Sequence, residues 1–70
     1  MTDHTTLVTA AAGEDPQQGL RAVRALRELA DRLETLQVRR ARELGWSWQQ
    51  IAAELGVTKQ AVNKKHARRI

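Results

Sequence analysis

The sequence predicts an all-α protein, on three observations. Apolar residues recur at helical spacing, first at Ala22, Leu26, Leu29, Leu33 and Leu36, then at Trp48, Ile51, Ala52 and Leu55. Helix-start chemistry stands ahead of the helical segments, at Asp15-Pro16, at Ser47 and at Thr58. Glycine stands behind them, at Gly45 and Gly56, where a left-handed residue closes a helix cheaply. The expected architecture is a long N-terminal amphipathic helix followed by a head of short helices.

Residues 1–14 show no sustained period and read as a flexible tail with at most a transient helical turn. His4 has no companion at metal-ligand spacing and receives no role.

The long helix is expected over 15–44. Asp15 is its N-cap, Pro16 suits the first helical position, and Gln18 sits where a capping box places it. Gly19 weakens the first turn by about 1 kcal/mol relative to alanine. Leu26, Leu29, Leu33 and Leu36 follow a heptad a/d pattern, flanked by Arg24, Arg27, Glu28, Asp31, Arg32 and Glu34. Glu28 and Arg32 stand at the favourable i,i+4 spacing. A three-helix head needs only about 33–44 of this helix, so the stripe over about 20–36 asks for a partner surface. A homodimer through these leucines is the expectation, against internal packing on the head. Val38, Ala41 and Leu44 are assigned to the head's own core. A solvated face accounts for Arg39, Arg40 and Arg42 as well as phosphate contact does.

Residues 45–70 make the rest of the head. Ser47 and Gln50 form an S-x-x-Q capping box, with Trp46 and Ile51 at hydrophobic-staple spacing. Both tryptophans are assigned to packing rather than to base stacking. Gly56 makes the tight turn, Val57 plugs the angle, and Ala52 lets the next helix approach. Thr58 caps that helix, expected over 58–69, with Ala61 and Val62 turned inward.

Two helices joined by a short glycine turn form a helix-turn-helix. Through Ile51, Ala52, Leu55, Gly56, Val57 and Val62 the stretch resembles the phage-repressor and sigma-factor region 4 type. The resemblance implies a trihelical DNA-binding head over residues 33–70, with 58–69 as recognition helix. The whole layout is similar to small one-domain actinobacterial DNA-binding proteins, some of them nucleoid-associated. The base-facing positions of the family correspond to Thr58, Lys59, Gln60, Asn63 and Lys64. Those residue types suit base recognition, since Gln and Asn pair bidentately with adenine and Lys donates to guanine. Lys65, His66, Arg68 and Arg69 fit phosphate contacts, as do Ser47, Gln49 and Gln50 at a helix start.

Charge agrees with a polyanion partner. Residues 1–19 carry three acids and no Lys or Arg, whereas 20–70 carry all twelve Lys and Arg against five acids, a net of +7. Seventy residues allow one domain, and 41% hydrophobic content suffices for a small core but not for a buried reaction cavity. With no carboxylate pair, phosphate-cradling glycine loop or positioned histidine, an enzyme is not expected. No cofactor, metal or small-molecule ligand is expected either. The chain has no cysteine, no apolar run long enough for a membrane and no signal-peptide pattern. A cytoplasmic, nucleoid location is therefore expected. Double-stranded DNA is the expected partner, for a nucleoid-associated protein or a transcriptional regulator. The competing expectation is a protein-binding adaptor or antitoxin-like module that uses the leucine stripe.

Overall fold

The computed structural model describes residues 4–68. These form four helices and no strand: α1 (His4–Ala11), α2 (Pro16–Glu43), α3 (Trp48–Leu55) and α4 (Lys59–His66). The chain divides into two units, Met1–Leu33 and Glu34–Ile70, and α2 runs from the first into the second.

In the first unit the expected tail is a helix. Residues His4–Ala11 form α1, extended by the Ala12 N–H donating to the Val8 carbonyl at 3.1 Å. Alanine favours the helical state, and the Thr9 hydroxyl donates to the Thr5 carbonyl at 2.9 Å, one turn back. None of the α1 residues is buried. Gly19 has a use that its low helix propensity conceals. It is buried, and a Cβ there would lie 3.6 Å from the Ala10 carbonyl oxygen. Asp15 caps α2 as expected, its Oδ1 accepting from the Gln17 N–H at 3.0 Å. Ala22 is buried, Leu26 and Leu29 are half-buried, and Leu33 is exposed at 51%. Glu28 reaches back to Arg24 at 3.5 Å, an exposed pair that contributes little.

The second unit is built around Val38, Ile51, Ala52 and Val62, with Ala41 and Trp48 packed against them. Its two turns close in the same way. Trp46 N–H reaches the Ala41 carbonyl while Gly45 N–H reaches Arg42, at 2.9 and 3.0 Å. Val57 N–H reaches Ala52 while Gly56 N–H reaches Ala53, at 3.1 and 3.3 Å. Each is a Schellman closure, which needs a left-handed residue at the glycine. Gly45 and Gly56 supply it, at φ 88° and 71°.

Several core assignments change. Leu44 is 73% exposed, because the helix ends there and the chain turns away at Gly45. It borders an open groove shared with Val38, Ala41, Trp46, Ile51 and Leu55. Val57 is nearly half exposed and so plugs the turn only in part. Ala61 is exposed, leaving Val62 as the inward residue of the pair. α4 ends at His66 rather than 69, and Arg69 lies outside the described residues.

Candidate functional site

The outer surface of α4 gathers most of the residues expected to meet DNA bases. Lys59, Gln60, Asn63 and Lys64 line one shallow depression. Lys59, Gln60 and Lys64 are exposed and Asn63 is half-buried. Their i, i+1, i+4, i+5 spacing puts them on adjoining turns of one helix face. Thr58 precedes them as N-cap, its Oγ1 accepting from the Ala61 N–H at 3.1 Å. That bond uses the oxygen as acceptor and leaves the hydroxyl proton available as donor. No acid occupies the first turn of α4, and Lys64, Lys65 and His66 make up its basic last turn.

The start of α3 carries the second set. Ser47 Oγ accepts from the Gln50 N–H at 3.1 Å, and Gln50 Oε1 accepts from the Ser47 N–H at 2.8 Å. The capping box is therefore complete, and the acceptor oxygens of both side chains are committed to it. The Ser47 hydroxyl proton and the Gln50 amide protons are the groups that can still donate outward. Gln49 is exposed beside them. Arg68 is exposed in the turn after α4.

His66 does not belong to the phosphate-contacting set. It is fully buried, and its Nε2 lies 2.6 Å from Glu34 Oε2. Val62 and His66 are four residues apart, so the face that buries one buries the other. Lys65 is half exposed and pairs with the same carboxylate oxygen at 2.9 Å. Any phosphate would compete with Glu34 for it. The hydrogen bond from Lys65 is the largest influence on Glu34 and holds its carboxyl below the ordinary range; His66 adds to this, and partial burial opposes it.

Glu34 and His66 are the pair that sequence reasoning missed. The available signal was the i,i+4 step from Val62 to His66, on a helix whose remaining ring of cations drew attention to its charge.

Of the leucines expected at a dimer interface, Leu26 and Leu29 are half-buried within the chain. Leu33 and Leu36 are exposed, Leu36 at 47%. No helix among the described residues is long and apolar enough to cross a membrane. The sequence matches no family model, and neither the curated proteins nor the solved structures give a significant match.

Proposed function

We propose that this chain binds double-stranded DNA through a helix-turn-helix formed by α3, the Gly56 turn and α4. In this assignment the second unit is the trihelical head, completed by the last part of α2. It serves as a small nucleoid-associated protein or transcriptional regulator. The observation that carries the assignment is the surface of α4. Two amide side chains and two lysines share one depression on a helix with no acid in its sequence.

An α-helix fits the major groove, and residues near its N-terminus reach the base edges. Gln60 and Asn63 supply donor–acceptor pairs for adenine, and Lys59 and Lys64 supply donors for guanine or for phosphate. Lys59 lies in the first turn, where the helix dipole disfavours a cation. A nucleic-acid phosphate or base acceptor would offset that cost. Ser47, Gln49, Gln50 and Arg68 reach backbone phosphates, which give affinity without base preference.

Residues 20–36 would carry a homodimer. Leu33 and Leu36 support it, since apolar side chains left half exposed on a helix gain from a partner. The same leucines would serve an adaptor that binds another protein. A mobility-shift titration with excess random competitor at moderate salt separates the two. Retention of a preferred duplex, enriched by selection from random DNA, is the expected result. Absence of any shift at low salt would favour the adaptor.

A further inference from the structure

We propose that Glu34 is a positioning residue for α4, holding that helix through His66 and drawing Lys65 away from the surface that meets a polyanion. This assignment rests on the DNA binding proposed above. Its motivation is a charge placed against its apparent purpose. An acid beside a basic helix weakens attraction for DNA on Coulombic grounds alone. It must then return something else.

What it returns is the seat of His66. Burying an imidazole costs free energy unless its polar atoms are bonded. His66 is fully buried, and among the described residues the bonding partner at its ring is Glu34, at Nε2; Nδ1 has none. An ionised carboxylate only accepts, so the proton of the shared bond sits on Nε2. Glu34 thus selects the tautomer and anchors the last turn of α4 from α2, across 32 residues of sequence. The same oxygen takes the Lys65 ammonium at 2.9 Å. Two consecutive residues of α4 are held by one atom, which fixes the helix in rotation as well as in position. The rotation decides whether Gln60 and Asn63 face the bases.

Two substitutions and one spectrum test this. Glu34→Ala removes the anchor and a negative charge together. Preference for a selected duplex over random duplex should fall about tenfold or more, while affinity for random duplex holds or rises. Glu34→Gln keeps an oxygen that accepts from His66, and should restore most of the preference. If Glu34→Ala instead tightens both duplexes by the same factor, Glu34 is only a repelling charge and the proposal fails.

Imidazole nitrogen shifts of the wild type provide a measure that does not depend on DNA or on the folding of a variant. The Nε2–H form is expected at His66; an Nδ1–H form overturns the anchor. If the wild type binds no duplex at all, the DNA assignment fails by itself. Amide exchange over α4 in wild type and Glu34→Ala then decides the anchor alone. Faster exchange in the variant supports it, and identical exchange refutes it.

Discussion

The Arg42 guanidinium carbon lies 4.7 Å from the centre of the Trp48 ring. The same side chain donates from Nη1 to the Trp46 carbonyl at 2.8 Å. Arg42 therefore ties the last turn of α2 to the first residue of α3, over the Gly45 turn. Of the three arginines at 39, 40 and 42, this one has a structural role. Arg42→Ala should lower stability by about 0.5–1 kcal/mol, the usual scale of an exposed cation–π contact. The urea midpoint is the measurement, and a midpoint equal to wild type would remove the contact from the structural account.

Gly56 should resist substitution for a backbone reason. A Cβ there would meet nothing within 4 Å, so space is not the obstacle. Its φ of 71° is, because a side chain in the left-handed region costs about 1–2 kcal/mol. Gly56→Ala should lose about that much, Gly56→Val more, and Gly56→Asn less, since asparagine tolerates this conformation. Thermal melting of the three variants gives the order. Equal melting temperatures would contradict the Schellman closure.

Acid should weaken the second unit through Glu34. Its carboxyl is held below the ordinary range by the Lys65 hydrogen bond first, and by His66 as well. A lowered folded value means that the stabilisation is complete above the unfolded value, about 4.3 for glutamate. It is lost as pH falls through the folded value. Wild-type stability should thus decline below about pH 5, and Glu34→Gln should show a shallower decline. Chemical denaturation across this window decides it; parallel profiles would exclude Glu34 as a source of the dependence.

Asn63→Ala and Lys64→Ala should separate base preference from charge. The first is expected to cost about 1–3 kcal/mol on the preferred duplex and little on random DNA. The second should weaken both and reduce the salt slope by about one unit. Equal losses on the two duplexes for Asn63→Ala would take that residue out of base recognition.

Replacing Leu29 and Leu33 by glutamate should give a monomer, read by sedimentation. Wild type is expected to be dimeric at tens of micromolar. Two recognition helices on one face of a duplex would then favour half-sites about 34 Å apart. A monomeric wild type that occupies DNA one chain per site would remove the dimer.

The elements most legible in the sequence were those fixed by local chemistry. Asp15, Ser47, Thr58, Gly45 and Gly56 act within four or five residues of themselves, so a cap or a closure can be read from order alone. Leu44 was misread because periodicity continues past the point where a helix has a neighbour. α1 was missed for the opposite reason: TTLVTAAA has helix formers but no stripe, and only the bare backbone of Gly19 signals a close approach. His66 is the clearest failure. Charge composition grouped it with Lys65, Arg68 and Arg69, whereas its bond spans two distant segments, and no short-range pattern reports such a pairing. The α4 surface was legible, since helical spacing alone brings 59, 60, 63 and 64 together.

A core of four small aliphatic residues has a thermodynamic consequence. Little apolar area is removed from water, so the heat-capacity change and the enthalpy of unfolding of the second unit are small. Its melting must be broad, and its stability at the usual density per residue amounts to roughly 2–5 kcal/mol. A ligand present at a hundred times its dissociation constant contributes about 2.7 kcal/mol. Occupancy and folding are then terms of similar size. If the proposed DNA binding holds, adding duplex would be visible in a calorimeter as a sharpened, upward-shifted transition, and the fraction folded would itself track the duplex concentration.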